Sequence, residues 1–323
     1  MIRKLTRPFG ILVAAVTAVA LASCAPQATT ETEASKPTIV ATTNVWANIA
    51  QQVAGDYFEV TALISDPAID PHSYEAGARD QLAISEAALF VINGGGYDDF
   101  ALTLGSSTQT PVFNAYEVHE AAEHAGEEPH AEGEEHAGEE PHAEGEAHED
   151  HGHDGSDHTW YDLHLVKHVA QELAHTLGEL QPENAEAFDA NAAAFGADIE
   201  VLEAKRDSMV NSEIHYFEAH PLASLLFMDL EFHNHTPEGF AESEEAELEP
   251  SAKTLSEAQE AISSGEVAFM AVNRQVTSPT LETLKELAAD SGVKVLEFDE
   301  LLPPETSYQE WMDSVLDSIA SVR

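Results

Sequence analysis

The stretch PTIVATTNVWANIAQQVAGDYFEVTALI, residues 37–64, decides the fold. Its β-branched runs, Thr38 to Thr42 and Phe58 to Ile64, flank a segment, Val45 to Val53, with apolar residues at helical spacing. Branched side chains pack well on a pleated sheet, whereas apolar residues three and four apart line one face of a helix. Strand, helix and strand in succession form the unit of mainly parallel sheets. The alternation continues with a helix over Ala78 to Ala87 and a third strand over Ala88 to Asn93. Asn93-Gly94-Gly95-Gly96 then reads as a turn; no P-loop lysine follows, so the glycine run is a loop and not a phosphate cradle.

Further on, Leu163 to Leu180 and Glu183 to Val210 read as helices parted by Gln181-Pro182, where proline can occupy a first helical position. The second is long, with Ala187, Phe188, Phe195, Ile199 and Leu202 on one face, and is suited to bridge two domains. Beyond it the strand and helix alternation returns. Strands are expected near Ile214 to Phe217, Val267 to Val272 and Val293 to Phe298, with helices after Pro221, over Thr254 to Ser263, Pro279 to Asp290 and Ser307 to Ile319. The fold class is therefore α/β, two lobes with mainly parallel sheets linked by one long helix. Two such halves imply a cleft, the default place for a ligand.

The start of the chain reads as an export signal, with basic Arg3, Lys4 and Arg7 before an apolar stretch from Ile11 to Ala22 that is short for a membrane span. It ends in Leu21-Ala22-Ser23-Cys24, which looks like a bacterial lipobox, so Cys24 is the expected lipid attachment point. This is the chain's single cysteine, which excludes disulfide frameworks and Cys-based zinc clusters; a metal site must use His and carboxylates. Removing Arg3, Lys4 and Arg7 with the signal takes the formal charge from −47 to −50. Such acidity disfavours nucleic acid and attracts cations.

Between His119 and His158 the composition changes abruptly. HAGEEPHAEGE occurs at 124–134 and again at 136–146, followed by HEDHGHDGSDH, and the tract holds nine histidines counting His158. With no aliphatic residue larger than alanine after Val118, it cannot offset its ordering entropy and is expected to be a disordered insertion. Its His and acidic side chains suit a loose metal-collecting arm. The expected organisation is a signal over 1–23, a flexible tether over 24–36, an N-terminal lobe over 37–180 with the insertion 119–157, a linking helix over 181–210 and a C-terminal lobe over 211–323.

Four residues fall just after predicted strands or at the mouth of the insertion: His72, His158, His220 and Asp299. His220 precedes Pro221 and should cap a helix; Asp299 ends VKVLEFD. In open α/β sheets ligands collect outside the carboxyl ends of strands. Singly, each has an ordinary reading as a packed histidine or a helix-capping aspartate. His164 and His168, four apart on a predicted helix, form a possible metal pair or a solvated face, with His175 two turns further along. His233 and His235 are an unassigned accessory pair.

Asp70-Pro71-His72-Ser73-Tyr74-Glu75, NGGGYDDF, the His-rich acidic insertion, His158 before Trp160, AHPLASLLFMDL and GVKVLEFDEL together resemble the metal-binding family of ABC-transporter solute-binding proteins, especially its zinc branch. The likeness covers nearly the whole chain after the tether. It implies two α/β lobes joined by a rigid helix, an ion held between them by His72, His158 and His220 with Asp299 or a water as fourth ligand, and a membrane permease as partner. Some zinc-branch members take a carboxylate from the residue before the first histidine, which here is Pro71. Three imidazoles and a carboxylate suit four-coordinate Zn²⁺ better than Mn²⁺, which favours more oxygen ligands. Other readings are a metal buffer or adhesin without a transporter, and a zinc hydrolase using Glu218 or Glu75 as base, although no HExxH helix is present.

Overall fold

The computed structural model describes residues 35–118, 157–246 and 248–322. Cys24, the signal and tether, and the tract from His119 to Ser156 lie outside the described residues. Two four-stranded parallel sheets stand at the centre. The first runs β2 (Glu59–Ile64), β1 (Thr38–Thr43), β3 (Leu89–Ile92), β4 (Val112–Asn114). The second runs β6 (His233–Asn234), β5 (His215–Glu218), β7 (Phe269–Asn273), β8 (Lys294–Phe298), so the two halves share one strand order. Central strands of such sheets are covered on both faces and read as continuous apolar runs. Thus all four residues of β3 and all five of β7 are buried.

The helices cover the sheets through the faces that the periodicity marks. Asn44–Ala54 buries Val45, Trp46, Ile49, Ala50 and Val53. Leu163–Leu180 buries Leu165, Val166, Val169, Leu173 and Leu177, and Asp162 caps its start by accepting the Leu165 N–H. Each large apolar side chain so covered contributes roughly 1.5–3 kcal/mol.

The long helix spans Ala185–Asp207, after a 3₁₀ turn at Pro182–Asn184. Near its start Phe188 packs edge-on to Tyr57, and the Asn191 amide donates to the Val53 carbonyl. Further along, Phe195 meets Tyr308, and Lys205 pairs with Asp317 at 2.7 Å. It therefore packs on both halves. The last helix, Tyr308–Ala320, docks back on the first: its Tyr308 N–H donates to Asn48 Oδ1 and Gln309 bonds Gln52. Both sheets accordingly lie in one unit, Lys36–Arg323.

Edge strands β4 and β6, of three and two residues, and the helices Asp99–Ser106 and Phe240–Glu245 are absent from the sequence reading. Elements this short show too little periodicity to register. The helix expected at Pro221 starts instead at Ser224, with Ala223 at its N-cap. His220 is thus not a cap. It sits in the preceding turn, where its carbonyl accepts the Leu222 N–H.

Candidate metal centre

Four side chains from four separate segments converge where the strands of both sheets end: His72, His158, His220 and Glu300, with ligand atoms all within 4.8 Å of one another. His72 follows β2 on a loop held by Asp70, whose carboxylate accepts the His72 main-chain N–H at 2.9 Å. Such a side-chain bond two residues on stabilises a tight turn. The His72 ring packs edge-on to Tyr97, and it is the most open of the four at 18 % exposure.

His158 lies where the chain returns from the long insertion, yet it is fully buried. Asn93, just past β3, holds this return. Its amide donates to the Asp157 carbonyl at 2.6 Å, while its carbonyl oxygen accepts from Thr159 Oγ1 and Trp46 Nε1. The His158 Nδ1 lies 3.1 Å from Asp157 Oδ1, which leaves Nε2 to face the cluster. The His158 ring also donates to the Pro221 main-chain carbonyl, and such an acceptor for the far ring nitrogen selects the tautomer and raises ligand basicity.

His220 stands two residues past β5 and is 3 % exposed. Among the described residues neither of its ring nitrogens has a hydrogen-bond partner. A buried polar atom left alone costs about 1–3 kcal/mol, so such an atom marks a place built for something else. Glu300, two residues past β8, is fixed by donors on both oxygens: the Asn273 amide on Oε1 and the Tyr97 hydroxyl on Oε2 at 3.0 Å. Tyr97 reaches it because Gly94 and Gly95 adopt positive φ in the turn; a Cβ on Gly94 would sit 2.0 Å from Asn114 Oδ1.

The spacings suit one small cation. His72 Nε2 is 3.2 Å from His158 Nε2 and 3.6 Å from Glu300 Oε2, and His220 Nε2 is 3.8 Å from Glu300 Oε1. Donors about 2.0–2.1 Å from a tetrahedral zinc stand roughly 3.3 Å apart. The electrostatics agree. Burial holds His158 well below the ordinary imidazole range, helped by His220 and His72, and burial followed by the His72 charge takes His220 down to about 3. Burial lowers His72 as well, against the opposing charge of Asp70. Neutral imidazoles are the form that ligates. Burial, then the charge of Asp70, pushes Glu300 up to about 8, so this carboxyl is set to exchange a proton for a cation.

Asp299 is not in the cluster. Its carboxylate takes a two-pronged contact from Arg274 Nη1 at 2.7 and 2.8 Å, and only its main-chain carbonyl turns inward, accepting Tyr161 Oη at 2.8 Å. The reason is strand alternation. Leu296, Phe298 and Glu300 are buried, while Glu297 and Asp299 face the other way and share Arg274. That period of two was the signal for Glu300. Asn93 and Tyr97 were missed too, because the glycine turn reads only as a loop. His164 and His168 face each other on the outer surface of Leu163–Leu180, and His233 on β6 and His235 just past it lie beside His215 on β5. The opening beside Asp70 is a groove of about 620 Å³ whose lining includes Glu244, Glu249 and Ser278.

The sequence pattern of the family described as ZnuA, zinc-uptake complex component A, periplasmic, matches residues 39–322. The chain belongs to this family. Among ZnuA-like relatives, the metal ABC transporter substrate-binding lipoprotein ScbA of Streptococcus cristatus is 27 % identical over 200 residues, covering 60 % of this chain and 58 % of that one. The manganese-binding lipoprotein MntA of Halalkalibacterium halodurans is 27 % identical over 210 residues, covering 62 % and 58 %. The match thus spans less than two thirds of these relatives' length. Two solved structures share the fold: a zinc-bound deletion mutant of ZnuA (20 % identity, TM-score 0.67, covering 89 % of this chain and 98 % of that one) and the Mn²⁺ complex of FpvC from Pseudomonas aeruginosa (21 %, 0.66, 89 % and 98 %).

Proposed function

We propose that this chain captures one Zn²⁺ between its two sheets and delivers it to an ABC-transporter permease, anchored outside the cytoplasm by a lipid on Cys24. The observation that carries the reading is His220: a buried imidazole without a hydrogen-bond partner, aimed at a carboxylate and two further imidazoles. Three nitrogens and one carboxylate are a zinc-like donor set. Glu300 supplies the fourth donor where a zinc hydrolase keeps an open position, which supports capture over catalysis. Asp70, Glu244 and Glu249 at the groove favour the approach of cations. The His-rich tract serves as a collecting arm. In this reading the lobes are residues 37–180 and 211–323, and 181–210 links them.

A manganese reading has one specific support, the names of relatives such as MntA. The experiment that separates the two is metal analysis of the purified protein joined to competition titration with a chelator in buffered Zn²⁺ and Mn²⁺. One tightly held zinc that Mn²⁺ fails to displace is the expected result. Retention of Mn²⁺ in the presence of equal free zinc would overturn zinc as cargo, and the absence of any tight ion would overturn the site.

A further inference from the structure

We infer that the exposed face of the Leu163–Leu180 helix carries a second, open metal site, formed by His164 and His168 and suited to the divalent ions that imidazole favours, Zn²⁺, Ni²⁺ and Cu²⁺. It stands on its own residues and does not depend on the central cluster. Positions four apart lie one above the other on a helix. Here the two Nε2 atoms face each other at 3.2 Å, the same separation as His72 from His158, and the ring planes meet at 77°. That spacing fits two donors on one ion of the imidazole-binding class.

The supporting groups fit as well. Glu203 Oε1, on the neighbouring long helix, lies 3.5 Å from His164 Nδ1, the ring nitrogen turned away from His168. Glu203 is itself fixed, at 14 % exposure, by Lys167 Nζ at 3.1 Å. A carboxylate beside Nδ1 favours the tautomer with its proton on that side, which leaves the Nε2 lone pair for an ion. The cation of Lys167 is neutralised by Glu203 and Glu200, which limits its repulsion of an incoming ion. Without an ion the pair can share one N–H···N bond; an ion takes the place of that proton. With the His164 side chain 63 % exposed, water fills the other coordination positions. The site therefore binds more weakly than a buried cluster and exchanges its ion freely with solvent.

Residue-resolved acylation of imidazoles by diethyl pyrocarbonate, mapped by mass spectrometry on the full chain, tests the proposal. Free Zn²⁺ is set by a metal buffer, so binding elsewhere on the chain does not alter it. Above the concentration that fills the central cluster, His164 and His168 are expected to become protected together. In His168→Ala, half-protection of His164 should need about tenfold more free zinc or beyond, because one limb of the chelate is gone. Full reactivity of His164 at every zinc concentration would overturn the site, as would identical protection curves in the wild type and His168→Ala. Unchanged affinity at the central cluster in the variant verifies that the fold is intact.

Discussion

Two pairs of facing imidazoles in this molecule have the same nitrogen separation, 3.2 Å, and entirely different surroundings. His164 and His168 come from one turn of one helix and stand in solvent. His72 and His158 are 86 residues apart, lie in a crevice, and are joined there by His220 and Glu300. Local geometry suffices to place two donors at chelating distance. Tight capture asks for more: donors held neutral by burial, a charge-balancing carboxylate and a water-poor site, all of which need the whole fold. The helix pair reads what the backbone periodicity allows, whereas the crevice reads what packing enforces.

The sharpest way to break this contrast is to remove the donor that nothing else occupies. Apparent zinc binding energies of about 10–16 kcal/mol shared among four donors come to about 2.5–4 kcal/mol each. His220→Ala should therefore weaken the tight site by two to three orders of magnitude, measured by chelator competition, and leave the weak helix site as it was. Loss of less than about tenfold would mean that the crevice does not assemble as one site.

Glu300→Gln comes next and separates charge from shape. In the ion-free protein this carboxyl is raised to about 8, so at lower pH the incoming cation must expel a proton. Affinity should climb about tenfold per pH unit from 6 to 8 and then level off. Burial lowers all three imidazoles, His220 to about 3, so they turn toward the neutral, ligating form earlier than an ordinary imidazole as pH rises. Calorimetry in buffers of different ionisation heat should show about one proton released per ion near pH 6.5. Glu300→Gln should lower affinity about a hundredfold and flatten the pH slope. The same raised carboxyl has a second consequence without metal. The folded state holds its proton more tightly than the unfolded chain, so the contribution of Glu300 to stability in chelator is fully present below the ordinary glutamate range and is lost as pH rises through about 8. The three lowered imidazoles act in the opposite sense and cost stability as pH falls below the ordinary imidazole value.

Much of this arrangement was legible beforehand. The first three strands and the Leu163–Leu180 helix follow directly from residue periodicity, and the three central histidines stand beside strand ends or at the mouth of the insertion. What escaped was the support. Asn93 joins β3 to Asp157 across 64 residues, and no local pattern announces such a bond. Tyr97 crosses to Glu300 across 203 residues in the same way. Removing the support should have an intermediate effect: Asp157→Ala takes away the carboxylate 3.1 Å from the far nitrogen of His158, whose ring keeps its Pro221 main-chain contact, and is expected to cost about tenfold in zinc affinity, with the fold intact by circular dichroism.

The smallest expected effect comes from the carboxylate one position from the site. Asp299 and Glu300 are adjacent in sequence and chemically alike, so composition cannot choose between them. The pleat does, because successive side chains of an extended segment point to opposite faces. The buried series Leu296, Phe298, Glu300 runs past the formal end of β8, and Asp299 is left with Arg274 on the far side. Asp299→Asn removes one partner of a half-exposed ion pair, an interaction of about 0–1 kcal/mol, and leaves the Tyr161 contact to its main chain in place. Zinc affinity in this variant should stay within about threefold of the wild type. A loss as large as that of Glu300→Gln would mean that the strand end rotates when the ion binds and that the pleat does not decide which carboxylate serves.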